Sequence, residues 1–75
     1  MKDLIKYIAT SLVDDPAAVD VSVRQQHGET HIELTVAEED MGRVIGRGGR
    51  VANAMRNLLR VAASRRGSRA TLDIV

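Results

Sequence analysis

Apolar residues recur along this chain with two different periods. Leu4, Ile5, Ile8 and Leu12 fall at i, i+1, i+4 and i+8, which predicts an amphipathic helix over about residues 2–13. Asp14-Asp15-Pro16 ends it, because proline pushes the residue before it out of the α region. Val19, Val21 and Val23 then alternate with Asp20, Ser22 and Arg24, and Ile32, Leu34 and Val36 alternate with His31, Glu33 and Thr35. Both runs have the period of two of a strand with one buried face, and Gln26-His27-Gly28-Glu29 between them reads as a hairpin turn.

Helical periodicity returns in the second half. Glu38-Glu39-Asp40 places three acids ahead of Met41, Val44 and Ile45, which suits the positive end of a short helix that Gly46 must stop. A long helix is predicted from Arg50 to Ser64, with Val51, Ala54, Met55, Leu58 and Ala62 as its apolar face and Leu59 and Val61 flanking it. Asn53, Arg56, Asn57, Arg60 and Ser64 form the opposite face, and Arg65-Arg66-Gly67-Ser68 closes the helix. Ala70, Leu72 and Ile74 alternate with Thr71 and Asp73 as a last strand. The order α-β-β-α-α-β, with a two-helix crossover before the third strand, predicts an α+β fold. It is a three-stranded mixed sheet carrying its helices on one face. The other face would be polar and without aromatic residues, unlike the base-stacking sheet of an RNA-recognition motif.

With 75 residues, one domain spanning residues 1–75 is expected, with a thin core. The absence of cysteine excludes disulfides, thiolate nucleophiles and Cys-ligated zinc. Apolar runs are far shorter than the ~20 residues of a membrane span. Met1-Lys2-Asp3-Leu4-Ile5-Lys6 interrupts the apolar run that a secretory signal needs, so a cytoplasmic protein with no membrane partner is expected. The net charge of +1 conceals a division. Residues 1–41 hold three bases and nine acids, a net of −6, whereas residues 42–75 hold eight arginines and one acid, a net of +7. An anion-binding side is thereby placed in the second half, where four of the six glycines also cluster within eight residues.

Those glycines fall in Gly42-Arg43-Val44-Ile45-Gly46-Arg47-Gly48-Gly49-Arg50-Val51. The stretch is neither a P-loop, which needs Lys followed by Ser or Thr, nor a G-x-G-x-x-G dinucleotide fingerprint, since Val51 stands at the last position. It is a G-x-x-G turn, Gly46-Arg47-Gly48-Gly49, between two helices. A helix start without a bulky side chain in front of it leaves free N–H groups for an anion, and Arg47 and Arg50 add charge beside it. The same glycines could form a plain helix–turn–helix corner.

The element order and the run Val44-Ile45-Gly46-Arg47-Gly48-Gly49 resemble a type II KH domain. Met1-Lys2-Asp3-Leu4-Ile5-Lys6-Tyr7-Ile8, Leu12-Val13-Asp14-Asp15-Pro16 and Glu39-Asp40-Met41-Gly42-Arg43 extend the resemblance over essentially the whole chain, to the small bacterial single-KH proteins of the KhpA kind. The resemblance implies single-stranded RNA as partner, backbone contacts at the loop, and a chaperone-like or post-transcriptional regulatory role. It also implies self-association as a dimer, association with a larger KH protein of the KhpB kind, and no cofactor. The chain departs from the family pattern at Gly48, where a longer polar residue is usual, and at Ala52, where Val51 is expected to take over the packing of a larger apolar residue.

The RNA-binding residues expected on this basis are Val44, Ile45, Gly46, Arg47, Gly48, Gly49, Arg50, Asn53 and Arg56. Val44 and Ile45 would form an apolar floor, and at least one of them should be core. Ile32, Leu34 and Val36 lie on the strand expected nearest the groove but read as core. Arg60 reads more as a solvated residue than as an extension of the phosphate track. His27 and His31 straddle a turn with no further ligand, so no metal site is expected. Asp14-Asp15 and Glu38-Glu39-Asp40 read as capping and solubilising groups, and the serines have no base partner, so no catalysis is expected. The alternative is an assembly module that presents Leu59, Val61 and Ala63 on its C-terminal helix.

Overall fold

A computed structural model describes all 75 residues. Helix α1 runs Lys2–Leu12, strand β1 Asp20–Gln26, strand β2 Glu29–Thr35, helix α2 Met41–Ile45, helix α3 Arg50–Arg65 and strand β3 Arg69–Ile74. Short 3₁₀ turns at Pro16–Ala18, Glu38–Asp40 and Arg47–Gly49 join them. The sheet order is β1-β2-β3, with β1 antiparallel and β3 parallel to β2. The α+β mixed sheet expected from the alternation is therefore present. The hairpin is tighter than expected. His27, at a φ of 52°, and Gly28 alone separate the strands, so β1 runs on to Gln26 and β2 begins at Glu29.

The core lies between the sheet and the three helices. Ile5 and Ala9 come from α1, Val21 from β1, Ile32 and Leu34 from β2, Val44 from α2, Met55 and Leu59 from α3, and Leu72 from β3, with Val36 just beyond β2. Ile5, Leu34, Val44 and Leu59 have no exposed surface. Each such side chain gains about 1.5–3 kcal/mol from burial. β2 is the central strand and Ile32 and Leu34 on it are core, as expected, while α3 packs along the edge strand β3. The inward face of β1 is weaker than its pattern suggested. Val21 is buried, Val19 is partly buried and Val23 is 38% exposed, because β1 is an edge strand with a neighbour on one side only.

Helix α3 is rotated relative to the expected face. Ala52, Met55, Leu59 and Ala63 are buried, whereas Ala54 and Leu58 are exposed. Both stripes are apolar at helical spacing, and the larger side chains favoured the wrong one. Two alanines in the inward stripe suit a helix lying against a sheet. Val51 does not replace Ala52: Ala52 is itself buried, while Val51 packs at the corner with the preceding loop.

Asp40 also departs from its expected role. Its carboxylate is 1% exposed and accepts hydrogen bonds from the backbone N–H groups of Asp14 (3.2 Å) and Asp15 (3.1 Å). Arg43 lies 3.8 Å from it and pairs with Asp14 at 3.0 Å. The end of α1 is thus fastened to the start of α2 by a buried charge whose oxygens both have partners, as burial of a charge requires. Glu38 and Glu39 remain exposed. On the open side of the sheet a hydrogen bond joins His31 Nδ1 and Thr71 Oγ1 at 2.8 Å, and His31 Nε2 lies 3.4 Å from Glu29.

Candidate nucleic-acid interface

Gly46–Gly49 turns the chain from α2 into α3. Gly46 has φ 77° and ψ 168°, a conformation essentially confined to glycine. A Cβ there would lie 2.6 Å from Val51 Cγ2 and 2.8 Å from the Val51 backbone N, so the loop is folded tightly onto the first turn of α3. Gly48, at φ 64° and ψ 18°, is also left-handed, but a Cβ on it would meet nothing within 4 Å. The loop is therefore fixed at its start and open at its crest. Its open crest faces a helix start with no side-chain cap, so the first N–H groups of α3 are turned toward the loop without a side-chain acceptor.

Arg47 lies within this turn and Arg50 directly follows it, both exposed, with no acid within ion-pair distance. Among the arginines of residues 42–75 only Arg43 is neutralised, through Asp14 and Asp40. The loop thus presents unpaired cations and the positive end of a 16-residue helix at one place. The arrangement suits a chain of phosphates and contains no nucleophile and no acid–base pair.

The other expected residues divide. Ile45 is 38% exposed at the end of α2 and borders the loop. Val44 has no exposed surface and belongs to the core, so it offers no floor to a ligand. Asn53 lies one turn below Gly49, its Nδ2 3.6 Å from where a Gly49 Cβ would be. Arg56 is exposed but not free. Its Nε donates to the Leu72 carbonyl at 3.2 Å and its Nη1 to Asn53 Oδ1 at 3.2 Å, so it bridges α3 to β3. The Asn53–Arg56 spacing of three residues carried a signal for the second contact. The first depends on a main-chain carbonyl and left no trace in the side-chain pattern.

An α-β-β-α-α-β chain over a mixed sheet, with a G-x-x-G turn between its second and third helices, is a type II KH domain. The profile of the KhpA/KhpB KH domain matches residues 2–74, and the chain belongs to that family. The RNA-binding protein KhpA of Caldanaerobacter subterraneus subsp. tengcongensis is 47% identical over 75 residues, covering the whole of both chains. That of Halalkalibacterium halodurans is 45% identical over all of this chain and 99% of its own. That of Treponema pallidum is 43% identical over 99% of this chain and 92% of its own.

Proposed function

We propose that residues 1–75 act as one KH domain that binds single-stranded RNA without catalysis, in a chaperone-like or post-transcriptional regulatory role. The observation that carries this reading is the G-x-x-G loop seated on the uncapped start of α3 with the unpaired Arg47 and Arg50. The names of the KhpA relatives support it. The loop grips the sugar–phosphate backbone of about four nucleotides, as is general for KH modules. Ile45 provides the apolar contact for bases, Asn53 lies under the loop, and Arg56 bridges α3 to β3 with its remaining donors turned to the RNA strand. A cytoplasmic setting fits such a role, and no helix is long and apolar enough to cross a membrane.

Neutralising Arg50 tests the backbone grip. In Arg50→Gln the log–log slope of affinity against salt should flatten by about 0.7, the single-strand value for one lost phosphate contact. The loss should be nearly the same for two unrelated single-stranded RNAs. Arg24→Gln, on the open sheet face, is the control. Equal losses from the two variants in equilibrium titrations would overturn the loop-centred reading.

A second reading, association with another copy or with a larger KH protein of the KhpB kind, rests on α3. Leu59 and Ala63 are buried and unavailable, but Leu58 (48% exposed) and Val61 (56% exposed) form an apolar strip beside Ala62. A single weak RNA site gains from such pairing through effective concentration. Light scattering at micromolar concentration should show a species heavier than one chain, and Val61→Asp should return it to the monomer mass. An unchanged mass in Val61→Asp would remove the strip from this role.

A further inference from the structure

Beyond the loop, the flank of α3 that faces β3 carries Asn53, Arg56, Arg60 and Ser64 at steps of three and four residues, so they stand in one row. The side of α3 on which the row lies is fixed by two contacts: Arg56 reaches the Leu72 carbonyl, and Arg60 and Ser64 share a cleft of about 490 Å³ with Gly67, Ser68, Arg69 and Ala70. Arg60 is ~15 Å and Ser64 ~21 Å along the helix axis from Arg50, at 1.5 Å per residue.

Two features separate this cleft from an ordinary solvated helix end. Two carbonyls at the end of α3 are already closed by the chain itself: Arg66 and Ser68 donate their N–H groups to Ala63 O (2.9 Å each), Gly67 donates to Ser64 O (3.1 Å), and the Ser68 hydroxyl also donates to Ala63 O (3.3 Å). Neither the Arg60 nor the Arg69 guanidinium donates a hydrogen bond or lies within 4.0 Å of an acid. Two unpaired guanidinium groups and the Ser64 hydroxyl thus border one concave surface.

We infer that this cleft is a second phosphate site for the same RNA strand. The strand leaves the loop, follows the α3–β3 channel past Arg56, and places a later phosphate between Arg60 and Arg69. The footprint is then longer than the about four nucleotides of a lone KH groove. This inference rests on the loop being an RNA grip.

The test compares unstructured single-stranded RNAs of about four and about ten nucleotides, titrated into wild type, the Arg60→Gln/Arg69→Gln double variant, and a loop variant with Arg47→Asp and Gly48→Asp. The longer RNA should bind wild type about tenfold more tightly than the shorter. Its salt slope should be steeper by about 1.4, the value for two added contacts. The Arg60/Arg69 variant should bind the short RNA as wild type does and lose the gain in affinity and slope on the long one. If it keeps that gain, or if lengthening the RNA brings none, the second site is absent and the loop reading stands. A loss of equal factor on both lengths also overturns the site, because it marks a general charge effect. If the loop variant binds the short RNA normally, it is the loop reading that fails. A polyglutamate peptide displaced from wild type only by large excesses of the long RNA would assign the cleft to an acidic protein partner instead.

Discussion

Converting Arg47 and Gly48 together to aspartate is expected to lower affinity for single-stranded RNA by about a hundredfold or more, equivalent to about 2.7 kcal/mol, while leaving the circular dichroism spectrum near that of wild type. The change takes the net charge from +1 to −2 by replacing one cation and adding two carboxylates at the loop crest. Those carboxylates meet the α3 start where a phosphate would sit, and they are themselves favoured there by the helix dipole, so they compete for the same donors as well as repelling the ligand. The fold tolerates them because the crest is open. A Cβ on Gly48 meets nothing within 4 Å, and aspartate is among the residues that enter the left-handed region, at a cost of about 1–2 kcal/mol or less. Fluorescence anisotropy with a labelled RNA gives the affinity and circular dichroism gives the fold. Binding retained by a folded variant would sink the proposal.

The largest stability effect is expected two residues earlier. Gly46→Ala places a methyl group 2.8 Å from the backbone nitrogen of Val51, which is held in the first turn of α3 and cannot withdraw as the end of a flexible side chain could. It also imposes a side chain on φ 77° and ψ 168°. Backbone strain and overpacking together should cost about 3 kcal/mol or more, which for a domain of this size lowers the melting temperature by about 12–24 °C. Gly48→Ala carries the left-handed penalty alone and should fall by only about 1–2 kcal/mol. Thermal melts of the two variants side by side check the ordering. A Gly46→Ala protein that melts with wild type would mean that the loop is not seated on Val51 as described.

Much of this architecture is legible in period and punctuation. The alternation in residues 19–24, 31–36 and 70–74 is unambiguous because one sheet face is buried and the other wet, and glycine marks the loop between α2 and α3. Periodicity fails where apolar residues exceed what one face can hold. α3 has two adjoining apolar stripes, and the one carried inward is settled by contacts to the sheet and to the loop rather than by the size of its side chains. The same excess made Val44 and Ile45 equivalent in sequence, although one is sealed in the core and the other is open to solvent. Charged residues mislead for the opposite reason. Asp40 and Arg56 look solvated, yet each is committed to main-chain groups distant in sequence, the N–H groups of Asp14 and Asp15 and the carbonyl of Leu72. Side-chain patterns do not encode main-chain partners.

The tie between Arg56 and Leu72 also bears on how copies of this chain can aggregate. With the order β1-β2-β3 the sheet has two bare edges, each a template for a strand from another molecule. The N–H of Val75 points to β2, donating to Leu34 O at 2.9 Å, and backbone groups alternate sides along a strand, so those of Leu72 point away from β2. The outward carbonyl at the middle of that edge is already occupied by a guanidinium, and the bulk of α3's polar flank stands in front of it. A foreign strand would have to expel a charged side chain to pair there. Growth of the sheet from molecule to molecule is obstructed at β3 by Arg56, and strand pairing between copies is left to the β1 edge.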